Sequence, residues 1–274
     1  MSEFTAELER AVQWYPGHMV RAMRRIGEYL KLIDVVLETI DARAPASDAN
    51  PMLDALIGTR ARLRVLTHED NANPHVTARW LTHFAARGIE TIAVEGRNQQ
   101  SVGRVGAALA RIAAERRGMS RAIVVGLPNS GKSSIINGLL RRAAARTEDR
   151  AGVTRQLQWF RLSPTLELMD TPGILVPKIA SKESQWKLAL IGAVPRERYD
   201  PQEVAYNFAG WSRARSGGST VVPDLETFAA TRGFMRRGGE IDAHNAAQAY
   251  VKAFNDGVFG RISLEEPNDR DEDA

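Results

Sequence analysis

The residues with the clearest chemistry run Gly126-Leu127-Pro128-Asn129-Ser130-Gly131-Lys132-Ser133, which fits G-x-x-x-x-G-K-[ST]. The apolar strand Ala122-Ile123-Val124-Val125 precedes them, and a helix is predicted from Lys132 onward. Glycines in such a loop let the backbone wrap a β-phosphate so that successive N–H groups point at it, and the helix N-terminus adds partial positive charge. Lys132 then bridges the β- and γ-phosphates and the Ser133 hydroxyl ligates Mg²⁺. Asn129, Ser130, Gly131, Lys132, Ser133 and Ser134 are the expected phosphate-binding residues.

A phosphate loop alone does not separate kinases, ATPases and GTPases. Asp170-Thr171-Pro172-Gly173 follows the apolar stretch Leu166-Glu167-Leu168-Met169, where Asp170 can hold a magnesium-bound water and the Gly173 amide can reach a γ-phosphate. Between the two motifs, Thr154 in Ala151-Gly152-Val153-Thr154 is placed to be a second Mg²⁺ ligand that closes only over a γ-phosphate.

The elements that must position these groups alternate. Met19, Met23, Ile26 and Leu30 mark an amphipathic helix over 17–31, with Arg21, Arg24, Arg25 and Glu28 on its other side. A β-branched run, Ile33 to Ile40, leads into Asp41-Ala42-Arg43-Ala44-Pro45. Strands near 62–66, 89–94 and 121–125 alternate with helices near 75–87 and 101–117, and two short strands near 156–162 and 165–169 turn at Ser163-Pro164. This order predicts an α/β fold with a mostly parallel sheet and helices on both faces. Beyond about 180–195 the pattern is helical. The expected division is a nucleotide-binding domain over 1–180, a small helical domain over 181–264, and a disordered acidic tail over 265–274, EEPNDRDEDA.

A chain of 274 residues, 43% hydrophobic, has room for those two modules. Its formal net charge is only +4, but arginines cluster, as at Arg141, Arg142 and Arg146, and phosphate contacts need local rather than net charge. The second module interleaves Arg196, Arg198, Arg213, Arg215, Arg232, Arg236 and Arg237 with Trp211 and Phe234. These are either phosphate contacts with stacking platforms or core aromatics among solvated arginines. No cysteine is present, which excludes disulfides and thiolate metal sites. No apolar run approaches the roughly 20 residues that span a bilayer, and the N-terminus MSEFTAELER is unlike a transit peptide. The expected compartment is the cytoplasm, with no membrane or DNA partner.

The order G-x-P-N-x-G-K-S, Thr loop, D-T-P-G resembles the translation-factor-like GTPases, but nothing after Gly173 resembles their guanine motif Asn-Lys-x-Asp. Upstream, the strand Leu63-Arg64-Val65-Leu66 runs into Thr67-His68-Glu69-Asp70, and Thr91-Ile92-Ala93-Val94 runs into Glu95-Gly96. With Trp14-Tyr15-Pro16-Gly17-His18-Met19, Ile40-Asp41-Ala42-Arg43, Gly238-Gly239-Glu240-Ile241-Asp242 and Gly260-Arg261-Ile262-Ser263-Leu264-Glu265, the chain resembles the YlqF/RbgA family of circularly permuted ribosome-assembly GTPases over about 14–265.

The resemblance implies a GTP-hydrolysing assembly factor that binds the large ribosomal subunit precursor and its rRNA, with GTP/GDP, Mg²⁺ and K⁺ as cofactors and Asn129 beside the K⁺. It implies a guanine site of Thr67, His68, Glu69, Asp70, Glu95 and Gly96. The chain departs from the family at that motif: Asp70 is kept, whereas Thr67 and His68 replace Asn and Lys. Asp70 can still pair with guanine N1–H and the exocyclic amine, His68 could stack on the ring, and Thr67 is too short for both contacts of the Asn. At the position after Gly173, where Ras-like enzymes carry a water-orienting Gln, stands Ile174. The resemblance assigns that catalytic role to His18, whose alternative is a helix N-terminal histidine bonded to nearby backbone. Two other readings fit the same residues: a nucleotide-binding RNA-interaction protein with negligible hydrolysis, and an ATPase or nonspecific NTPase.

Overall fold

The structure, a computed structural model, describes residues 27–50, 53–54, 57–116, 118–147, 158–170, 181–215, 222–236 and 239–267; the side chains of 144–147, 158 and 170 fall outside that description. Its strands are β1 (Val35–Asp41), β2 (Ala61–Thr67), β3 (Glu90–Ala93), β4 (Ser120–Val125), β5 (Gln158–Ser163) and β6 (Leu166–Asp170). Between them lie α1 (Pro45–Asp48), α2 (Pro74–Ala86), α3 (Gln99–Ala114) and α4 (Lys132–Thr147), and after them α5 (Lys182–Leu190), α6 (Pro201–Arg215), α7 (Leu225–Arg232) and α8 (Ala243–Asn255). Residues 27–30 are helical, as the spacing of Leu30 predicts.

The six strands form one sheet in the order β3-β2-β1-β4-β6-β5. All neighbours are parallel except the β5–β6 pair. From β1 the chain steps outward through β2 and β3, then returns to place β4 on the other side of β1. The strand order therefore reverses between β1 and β4, the switch point at whose carboxyl ends open α/β sheets bind ligands.

Alternation along the strands divides the core. Val35 and Leu37 face α3 and α4 with Val65, Val124 and Leu168. On the opposite face, Ile40 and Leu66 meet Trp80 and Phe84 of α2. Helix α3 buries Val102, Val105, Leu109 and Ile112 at helical spacing. Asn73 and Asn98 cap α2 and α3, each accepting from two backbone N–H groups.

The helical module is not set apart by a gap in the core. One apolar cluster runs from Val36, Ile123, Val125 and Met169 of the sheet into Trp186, Leu188, Phe208 and Tyr250. The acidic stretch after Leu264 is ordered at its start, against its composition. The N–H groups of Ala46 and Ser47 donate to the Glu265 carboxylate at 2.8 and 3.0 Å, and Lys187 stands 3.4 Å from it. Glu265 thereby caps α1 and is buried at 8% exposure, so the tail read as disordered from 265 is built into the fold through Pro267.

Candidate functional site at the sheet switch point

Strand β4 ends at Val125, opposite Glu38 of β1, so Thr39 lies just past the last paired residue and under the phosphate loop. The Thr39 hydroxyl lies 2.7 Å from Ser130 Oγ and 3.3 Å from the Val125 carbonyl. A Cβ on Gly126 would sit 2.2 Å from Thr39 Oγ1 and 2.6 Å from the Thr39 carbonyl oxygen. Only glycine lets the strand turn there. Ser130 thus spends its side chain inward on the sheet, while its backbone N–H donates to the Leu127 carbonyl at 3.2 Å.

The Lys132 ammonium donates to the carbonyls of Gly126 at 3.0 Å and Leu127 at 2.5 Å. That holds its charge across its own loop at the start of α4, while Ser133 and Ser134 are exposed in the helix's first turn. A cation and a helix N-terminus converging on one loop suit an anion. Asn129, with φ 58°, donates from Nδ2 to the Gly192 carbonyl at 2.7 Å.

The ends of β1 and β2 adjoin the loop. Thr67 Oγ1 lies 3.0 Å from the Ser130 carbonyl and 3.2 Å from that of Ile40, and it packs against Gly131. Thr67 therefore makes the brace to the phosphate loop, one of the two contacts expected of Asn. His68 takes a left-handed backbone, and its Nδ1 stands 3.1 Å from Asp41 Oδ2. The imidazole is thereby committed to that carboxylate at one edge.

Asp41 and Arg43 form a buried pair. Arg43 donates to it from its backbone N, Nε and Nη2 at 2.7–2.9 Å. Burial alone would raise the Asp41 pKa, but the Arg43 guanidinium and then His68 outweigh it and hold the carboxyl well below the usual range. Asp48 Oδ2 accepts from the Asp41 N–H at 2.6 Å. Burial, and then the Asp41 carboxylate, push the Asp48 pKa up to about 8.

Beyond Thr67 the chain makes a 3-10 turn, Glu69–Asn71. Glu69, Asp70 and Glu95 line a cleft of about 590 Å³ with Ser101, Arg104 and Arg261, within the range of small-ligand sites. Gly96 lies against the first turn of α4, where a Cβ would come 3.1 Å from Ser134 Cβ. The predicted phosphate and base residues thus adjoin in space. His18, Thr154, Gly173 and the side chain of Asp170 lie outside the described residues. Arg104 and Arg261 were missed as site residues, because nothing near them in sequence ties them to Asp70.

Trp211 and Phe234 are half-buried and pack against the core. Trp211 stacks on Phe208 at 6.1 Å and Phe234 on Phe228 at 6.4 Å, and both pack against the cluster that continues into the sheet.

The chain is 34% identical to Ribosome biogenesis GTPase A of Bacillus licheniformis over 94% of its own length and 99% of the relative's. It belongs to the ribosome biogenesis GTPase A family. Ribosome biogenesis GTPase A of Thermotoga maritima is 32% identical over 94% of this chain and 95% of that relative. The GNP-bound YlqF structure from T. maritima superposes with a TM-score of 0.72 at 31% identity, covering 91% of this chain and 99% of the other. Residues 121–201 match the family model described as 50S ribosome-binding GTPase. That match opens at the strand before the phosphate loop, so the predicted base loop at Thr67–Asp70 precedes it in the chain. The family's GTPase domain is here circularly permuted, and the sheet restores in space what the chain order separates.

Proposed function

We propose that this GTPase binds GTP with its phosphates on Asn129–Ser134 and its base in the Asp70 cleft, and that the bound nucleotide gates its association with the large ribosomal subunit precursor and that particle's rRNA. The observation that carries the reading is the convergence of the Lys132 loop and the Asp70 turn at the carboxyl ends of β4 and β2, braced to each other through Thr67. Relatives over nearly the whole chain are named as ribosome biogenesis GTPases, which supports the particle as partner.

Ser133 presents a hard oxygen donor at the exposed start of α4, beside buried Lys132, and this fits Mg²⁺. Thr154 and Asp170, the latter through water, complete the proposed set; a bound Mg²⁺ neutralises charge on the phosphate oxygens. Asn129 donates through Nδ2, so its Oδ1 is the atom available to K⁺. His18 is proposed to orient the attacking water, since Ile174 carries no hydrogen-bonding group. Residues 181–264 form the proposed RNA-binding domain, with exposed Arg213, Arg215, Arg232 and Arg236 as phosphate contacts. No described helix is long and apolar enough to cross a membrane, and the proposed site of action is the cytoplasm.

Phosphate release from GTP, measured with and without large ribosomal subunits and paired with pelleting in a GTP analogue or GDP, tests this reading. Stimulated release and analogue-dependent pelleting are expected. Release that ignores the subunits, with pelleting equal in both nucleotides, contradicts it.

A further inference from the structure

The turn that presents Asp70 is three residues long, and 3-10 geometry over so short a stretch has poor hydrogen bonds of its own. Beyond its own bonds, Asn71 N–H to the His68 carbonyl at 3.0 Å and Ala72 N–H to the Glu69 carbonyl at 3.3 Å, its outer backbone is held by a strap over residues 261–263. Arg261 Nη2 donates to the Glu69 carbonyl at 2.7 Å and Nε to the Ala72 carbonyl at 2.9 Å. The Ile262 N–H donates to the Asn71 carbonyl at 2.9 Å, and the Asn73 N–H donates to Ser263 Oγ at 3.0 Å. The approach is close enough that a Cβ on Gly257 would lie 2.6 Å from Asn71 Oδ1.

Arg261 therefore grips the backbone on both sides of Asp70 with one planar fork and lines the same cleft. Asp70 is exposed, and its carboxylate makes no hydrogen bond or ion pair among the described residues. Its aim is set by the backbone beneath it. A carboxylate that must meet N1–H and an exocyclic amine together is sensitive to small misplacement.

We propose that Arg261 is a positioning residue for guanine discrimination: by bridging the carbonyls of Glu69 and Ala72 it fixes the direction in which Asp70 meets the base. The inference rests on the reading of Glu69–Asn71 as the base loop. It gives the C-terminal module a direct hold on nucleotide choice, separate from the hold of Asn129 on Gly192. A lysine in place of Arg261 can reach only one carbonyl at a time, because its ammonium is a point donor without the fork.

The test compares binding of GDP and of IDP, which lacks the exocyclic amine, to the full chain and to its Arg261→Ala and Arg261→Lys variants, with melting temperatures on the same preparations. The parent is expected to prefer GDP. In Arg261→Ala that preference should shrink by roughly 5–10-fold, chiefly through weaker GDP binding, the scale of a charge-assisted hydrogen bond weakened by misalignment rather than lost. Arg261→Lys should lie between the two. A parent that binds GDP and IDP alike overturns the base-loop reading and this inference with it. A clear parent preference that survives in Arg261→Ala, or a loss equal for both nucleotides, overturns the inference alone and leaves Arg261 a structural clasp.

Discussion

Asn129, in the phosphate loop, donates a 2.7 Å hydrogen bond to the carbonyl of Gly192, in the turn that closes α5. The first residue belongs to the proposed phosphate-binding loop, and the second follows a helix whose Trp186, Leu188 and Leu190 lie in the core shared with α6 and α8. The hydrogen bond ties the loop directly to the helical module.

Asn129→Ala should remove this tie together with the proposed K⁺ ligand. One exposed neutral hydrogen bond stabilises by about 0.5–1.5 kcal/mol, and its loss lowers the melting temperature by roughly 1–6 °C in a chain of this size. Hydrolysis should also lose its response to K⁺ over Na⁺, which a phosphate-release series in the two salts reads. A variant that still responds to K⁺ removes Asn129 from the cation site.

Thr67→Val keeps the shape and removes the hydroxyl that bridges Ile40, Ser130 and the base loop. GDP affinity should fall by about tenfold, the scale of a buried carbonyl left without its donor, while Thr67→Ser should stay near the parent. Equal GDP binding by Thr67→Val in calorimetry would mean that the brace does not set the loop.

Asp48 gives a pH signature. Its folded pKa, about 8, exceeds the ordinary value near 3.8, so the folded state holds the proton more tightly than the unfolded one. Its contribution to stability is full below about 3.8 and drains away as pH rises through 8. Asp41 is shifted the other way; its contribution is lost only as pH falls below the ordinary carboxylate range. The melting temperature of the nucleotide-free protein should therefore fall between about pH 4 and pH 8 through Asp48, and Asp48→Asn should flatten that fall. An identical slope in the variant would show that another group carries it.

Local signals made the phosphate loop and the strands legible. Gly126–Ser133 is contiguous, and β1 to β4 are runs of β-branched and apolar residues whose ends shift from expectation by two residues or fewer. Long-range pairings were less legible. That Thr67 would reach Ser130 follows only once β2 lies beside β1 and β4, and that Arg261 would reach Glu69 depends on where a strap far along the chain comes to rest. Glu265 read as the start of a solvated acidic tail because composition does not show that α1 offers it two N–H groups. For Trp211 and Phe234 the sequence left a stacking and a core role both open, because spacing does not show which ring faces the core; both pack half-buried against it.

Lys132→Ala should abolish tight triphosphate binding, since the loop loses the point charge it aims at the β- and γ-phosphates. Equilibrium binding of a fluorescent GTP analogue measures this, and near-parent affinity would remove the phosphate-loop assignment.

The central claim is that Asp70, upstream of the phosphate loop, reads the guanine base. Competition binding of GDP, XDP and ADP to the parent and to Asp70→Asn addresses it most directly. An amide in place of the carboxylate turns one acceptor into a donor, which suits the carbonyl that xanthine carries where guanine has its amine. The parent should choose GDP over both others, and Asp70→Asn should bind GDP more weakly and XDP more tightly than the parent does. Unchanged GDP binding in Asp70→Asn, with XDP still rejected, would place base recognition elsewhere and contradict the permuted site described above.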